Sequence, residues 1–134
     1  MTKVFTQDMA KRMVAYEIKT PFGSSSLGLA IPEGFTRIEK GAFENMDIDT
    51  VIFPKSLEVI EDNAFKNCRL REVCFPEQVR YIGNSAFEDC VSLHNVEFEY
   101  DLIEYIGDRA FYNCIRLTDI NSTYSIEIQR SVKY

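Results

Sequence analysis

Between residues 29 and 119 the apolar positions return in fixed columns separated by short polar stretches. An Ala-Phe pair recurs at Ala42-Phe43, Ala64-Phe65, Ala86-Phe87 and Ala110-Phe111, at spacings of 22, 22 and 24 residues. Five residues before each Phe stands an isoleucine, Ile38, Ile60, Ile82 or Ile106, and three residues after it Met46, Cys68, Cys90 or Cys114. Three further columns are Leu29/Val51/Val73/Val96, Ile31/Phe53/Phe75/Phe98 and Phe35/Leu57/Val79/Ile103, with Pro32, Pro54 and Pro76 directly after three members of the second. A unit this short cannot close a core alone, so its columns must pack on those of its neighbours as stacked coils. The expected fold is a repeat α/β solenoid.

The local pattern assigns the parts of each coil. Leu70-x-x-Val73-x-Phe75 and its echoes at Ile48 and Leu93 end in strand-like alternation, so each coil contributes one strand to a parallel sheet. The prolines stop the ladder because they have no N–H to donate. Gly83 to Cys90 opens with turn formers and then places Ala86, Phe87 and Cys90 at helical spacing, which predicts a single helical turn on the opposite side. The Phe35 and Ile38 columns are expected in the interior, or on the buried side of a second short strand.

These residues carry a resemblance. Val-x-Phe-Pro-x-x-Val-x-x-Ile-Gly-x-x-Ala-Phe-x-x-Cys-x-x-Leu at Val73 to Leu93 resembles the BspA-type leucine-rich repeat, and the match runs over about two thirds of the chain. The resemblance implies right-handed coils forming a curved solenoid, used for protein binding and adhesion, often at cell surfaces, with no catalysis. Three departures stand out: Glu39 and Glu61 replace the glycine seen at Gly83 and Gly107, Met46 replaces the cysteine, and Glu99 replaces the proline. The first suggests that the glycine position does not demand positive φ in every coil.

At 134 residues the chain is one domain by size, read as an N-terminal cap over 1–28, four coils over 29–119 and a C-terminal cap over 120–134. In the first cap Thr6 can start a helix whose apolar face is Phe5, Met9 and Met13. Val14, Tyr16 and Ile18 alternate with polar or small residues as a strand with one buried side. Pro21 to Ser26 reads as a connecting bend, and the extra residue between Phe98 and Ile106 as a bulge around Tyr100. The tail alternates about Ile126 and Ile128 as a strand covering the last open edge.

Net charge of −6 and a pI near 4.8 argue against nucleic acid and anionic membranes as partners and favour a protein carrying a basic patch. The first twenty residues lack the apolar core of a secretory signal, which favours a cytoplasmic location, whereas the resemblance favours the cell surface. Cys68, Cys90 and Cys114 share one column with Met46, so a soft apolar side chain is wanted there. A reduced structural ladder is therefore expected, with a disulfide or a metal site as the alternatives; His94 is the only histidine and no C-x-x-C occurs. No cofactor motif, nucleophile elbow or Walker loop is present, and an enzyme ranks last among the readings.

What remains is the outward face of the main sheet. Alternation places Thr50, Ile52, Glu72, Cys74, Asn95, Glu97, Glu99, Asp119 and Asn121 there, apolar at one end and acidic at the other, whereas Glu88 and Asp89 fall on the outer turn side as solvated carboxylates. The candidate protein-binding residues are Ile52, Glu72, Cys74, Asn95, Glu97, Glu99 and Asp119. A non-catalytic protein-binding module, adhesive or inhibitory and monomeric, is the first functional reading. An assembly protein that self-associates through the solenoid ends or terminal strands is the second.

Overall fold

The apolar columns of successive coils lie on one another in a β-solenoid. The computed structural model describes residues 2–19, 23, 25–99 and 102–121. Its elements are β1 (Val4–Phe5), α1 (Gln7–Arg12), β2 (Tyr16–Lys19), β3 (Ser25–Ala30), β4 (Arg37–Ile38), β5 (Thr50–Ile52), β6 (Val59–Ile60), β7 (Glu72–Phe75), β8 (Tyr81–Ile82), β9 (Asn95–Phe98), β10 (Tyr105–Ile106) and β11 (Asp119–Asn121).

Inside, the phenylalanines form two columns. Phe43, Phe65, Phe87 and Phe111 stack nearly parallel with centroids 4.8 to 5.3 Å apart, which is the strand spacing carried into the core. Phe53, Phe75 and Phe98 make the second column, and Phe53 and Phe75 meet Phe65 and Phe87 edge to face. Such tilted pairs add to the area burial because ring edges are positive and ring faces negative.

The main face is divided. β3 pairs in parallel with β5, and β9 with β7 on one side and β11 on the other, but they form two three-stranded sheets, β2-β3-β5 and β7-β9-β11. The Arg71 N–H to Asp49 carbonyl bond, 3.0 Å, still ties the coils together just ahead of β5 and β7. A third sheet, of five strands, runs β1-β4-β6-β8-β10 in two-residue strands, each placing one residue outward and the Phe5, Ile38, Ile60, Ile82 or Ile106 column inward.

The short helical turn takes a compact form in which bonds alternate. Ala64, Lys66 and Cys68 donate to the carbonyls three residues back, whereas Asn63, Phe65 and Asn67 donate to Asn84, Ala86 and Glu88 of the next coil. Every second N–H is thereby available to bind coil to coil, which an α-helix would forbid by using all of them within itself. The geometry requires left-handed residues at Gly41, Asn63, Ser85 and Arg109, and again at Asn45, Asn67, Asp89 and Asn113. Asn and Asp tolerate that conformation better than other side chains, and here Asn67 and Asn113 also bond sideways to Asn45 and Asp89.

Gly83 and Gly107 are needed for closeness and do not have positive φ. A Cβ on Gly83 would lie 2.6 Å from the Asp62 nitrogen, and one on Gly107 would lie 2.5 Å from that of Asn84. The gap lets Asp62 Oδ1 accept from the Asn84 N–H and Asn84 Oδ1 accept from the Asp108 N–H. The preceding coil carries Lys40 at the position of Asp62, so Glu61 stands there without this demand.

The N-terminus departs from expectation. Thr6 does cap α1, accepting from the Met9 N–H, but the buried helix residue is Ala10 and Met9 is exposed. Phe5 lies in β1, where it extends the stack onto Phe43. Val14, ahead of β2, and Tyr16 within it are exposed and only Ile18 is buried, so the predicted buried side reduces to one residue. Ser25 and Ser26, read as part of a bend, pair with Lys19 and Ile18. Tyr100, at the expected bulge, and the tail beyond Asn121 lie outside the described residues.

Candidate protein-binding face

Strand alternation carries the candidate side chains to the face opposite the phenylalanines. Glu72 and Cys74 in β7, and Asn95 and Glu97 in β9, are half-buried between inward Val73, Phe75, Val96 and Phe98. Register sets Glu72 beside Asn95 and Cys74 beside Glu97, while Asn95 pairs with Asp119 of β11. Glu99 is exposed just past β9, held by its N–H bond to the Phe75 carbonyl. Ile52 is half-buried in β5, in register with Ala30 of β3 and across the division from the β7–β9 ladder. The orientation of the Asp119 and Asn121 side chains lies outside the described residues.

Thr50 is corrected. It is only 4% exposed and in register with Gly28 and Tyr16. A Cβ on Gly28 would lie 2.3 Å from the Thr50 carbonyl oxygen, so this end of the face is packed shut.

The electrostatics are acidic. Partial burial pushes the Cys74 thiol up to about 11, with Glu97 and Glu99 adding to the shift by disfavouring a nearby anion. His94 Nε2 lies 3.4 Å from Glu72 Oε1, at the edge of the face. Among the described residues no group of three or more His, Cys, Asp or Glu side chains is placed to hold a metal ion.

The ladder cysteines have a role beyond filling space. Cys68, Cys90 and Cys114 are free and buried, and each thiol donates to the carbonyl of the Phe one coil earlier, Phe43, Phe65 or Phe87, at 2.9 to 3.1 Å. Burial raises all three, Cys68 and Cys114 to about 12, so they stay protonated. Met46 stands in the first coil, where no earlier Phe43-type carbonyl needs such a donor.

Two features escaped the column reading. Glu88 was expected in solvent but is 5% exposed, bridging Lys66 of the preceding coil at 2.9 Å and Arg109 of the following coil at 2.7 Å. Burial works to raise its carboxyl, and the hydrogen bonds from Lys66 and Arg109 outweigh that and hold it below the usual range. The other is an outward column on the five-stranded sheet, Arg37, Val59, Tyr81 and Tyr105, visible in the sequence as the residue before each isoleucine.

The model of the BspA type leucine rich repeat region matches residues 22–132, in six copies. The chain belongs to the BspA-type leucine-rich repeat family. Among solved structures it is similar to a leucine rich cell surface protein from Faecalibacterium prausnitzii, with 22% identity and a TM-score of 0.55 over 70% of this chain and 41% of that one. A leucine-rich repeat protein from Eubacterium ventriosum aligns at 18% identity and a TM-score of 0.58, over 70% of this chain and 32% of that one. The pneumococcal vaccine antigen PcpA aligns at 25% identity and a TM-score of 0.58, over 80% and 30%. This BspA-type chain thus spans less than half the length of these relatives. No match was found among the curated proteins. Folds of this type commonly serve as protein-interaction scaffolds, because stacking coils produces an extended sheet surface.

Proposed function

We propose that this chain is a non-catalytic protein-binding module that uses the open face of β5, β7 and β9. The observation that carries the reading is the pair Ile52 and Cys74, apolar and half-buried on a strand face that has no core of its own to fill. Around them Glu72, Glu97 and Glu99 supply an acidic rim. Desolvated apolar centres with polar rims hold most binding energy, and acidic rims speed encounter with basic surfaces. The favoured partner is therefore a protein with a basic patch, engaged in an adhesive or inhibitory role.

Two of the relatives, a cell surface protein and a vaccine antigen, support a surface location over a cytoplasmic one for the same module. Protease accessibility of the protein on intact host cells tests that choice. Within this reading the chain is a monomer. End-to-end assembly is disfavoured at one end by Phe5 and α1, which lie over the first coil.

Capture from host lysate tests the face. Ile52→Asp and the pair Glu72→Lys with Glu97→Lys should lose the retained protein, whereas Asp47→Lys, on an exposed outer ion pair with Arg69, should keep it. Loss with Asp47→Lys and retention with the face variants would place the site on the turns.

A further inference from the structure

The five-stranded sheet carries a gap in a stack of rings. Its outward column is in register along the solenoid axis, with Arg37 beside Val59, Val59 beside Tyr81, and Tyr81 beside Tyr105. Tyr81 and Tyr105 stack with centroids 4.7 Å apart and planes 13° from parallel. The Tyr105 hydroxyl donates to Asn84 Oδ1 at 3.3 Å, which fixes its ring over Tyr81. One coil further along, the column steps down from an aromatic ring to Val59. A cleft of about 270 Å³ opens at that step, lined by Arg37, Lys40, Val59, Glu61, Asp62 and Tyr81.

We propose that this cleft takes one aromatic side chain from a protein partner, seated on Val59 between the Tyr81 ring and the Arg37 guanidinium. Strands in register are about 4.8 Å apart, so a ring over Val59 sits from Tyr81 as Tyr105 does on the other side. Two such steps separate Arg37 from Tyr81, about 10 Å, which spans one ring with van der Waals contact on both faces. One face of Tyr81 is already covered by Tyr105, and the other borders the cleft. The negative π face of the incoming ring would meet a guanidinium, an attraction that favours aromatic over aliphatic occupants. Arg37 is free to turn towards it because its ion pair with Glu61 is long, at 3.7 Å. The volume is below the roughly 300–1,000 Å³ of sites that enclose drug-sized molecules, and suits a single anchor residue. This site is on a different sheet from the open face and does not rest on that reading.

The chain contains no tryptophan, so N-acetyl-tryptophanamide is a background-free probe. Its fluorescence should shift to the blue on saturable binding to the intact protein, with a dissociation constant on the order of a few millimolar. Val59→Tyr supplies the missing ring from the chain itself and should weaken binding at least tenfold. Tyr81→Ala removes the stacking wall and should do the same, so a failure of one variant to fold leaves the other to decide. N-acetyl-leucinamide at equal concentration should not displace the probe. Absence of saturable binding, or binding unchanged in a folded variant, overturns the proposal. Equal displacement by leucinamide or by a methyl glucoside overturns the aromatic assignment.

Discussion

Cys90 donates its thiol hydrogen to the carbonyl of Phe65, 3.1 Å away and 25 residues earlier. The same carbonyl accepts the Cys68 N–H, so the thiol occupies its second lone pair in a place water does not reach. Cys90→Ala leaves that lone pair unpaired and opens a small void, and should lower unfolding free energy by about 1–3 kcal/mol. Denaturant titration of the variant beside wild type reads the difference.

The ladder also predicts an alkaline weakness. Unfolded thiols lose protons near their ordinary value of 9.0, whereas Cys68 and Cys114 hold theirs to about 12 in the fold. The folded state then binds more protons than the unfolded one, so stability falls as pH rises above about 9 and continues to fall towards 12. Melting temperature followed across that range should drop less steeply in Cys68→Ala and Cys114→Ala than in wild type.

Burial at the centre of the stack should be costly to disturb. Phe87 touches Phe65, Phe75 and Phe111, and Phe87→Ala should cost about 3–5 kcal/mol. An unchanged thermal midpoint would deny the stack.

The close approach of coils at Gly107 makes a prediction of opposite kind, since adding one carbon should harm. Gly107→Ala brings a Cβ to 2.4 Å from Asn84 Oδ1, and overpacking of that kind costs about 1–3 kcal/mol. Asn84→Ala in the same background should recover little, because the Asn84 backbone nitrogen is almost as near.

Glu88 couples acid stability to its two cations. Its folded carboxyl titrates below the unfolded one, so its contribution is present above the unfolded value of about 4.5 and is lost as pH falls through the lower folded one. Glu88→Gln should be less stable than wild type at neutral pH, with the difference narrowing on acidification through that window, as read by denaturant midpoints.

The columns could be read because each interior position faces its own kind, so Phe43, Phe65, Phe87 and Phe111 declared their neighbours by recurring. Glu88 could not be read that way. Lys66 holds the same repeat position as Glu88 one coil earlier, but that column is polar and runs Glu44, Lys66, Glu88, Tyr112, and Arg109 comes from a different position, so no apolar column marks the burial. The spacing of Phe5 to Met9 and Met13 fits a helix face, whereas the partner that holds it in β1, Phe43, is 38 residues away. Of the candidate face, alternation was enough for Glu72, Cys74, Asn95 and Glu97, which share one ladder. It failed at Thr50, where Gly28 draws the neighbouring strand inwards, and could not reveal the division that separates Ile52 from Cys74.

The open-face account is tested most directly at Cys74, the half-exposed thiol beside three buried ones. Its alkylation rate should be measured by mass spectrometry with and without saturating amounts of the protein retained from host lysate. The account predicts that Cys74 reacts first in the free chain and is slowed at least tenfold in the complex. An unchanged Cys74 rate in the saturated complex would contradict it.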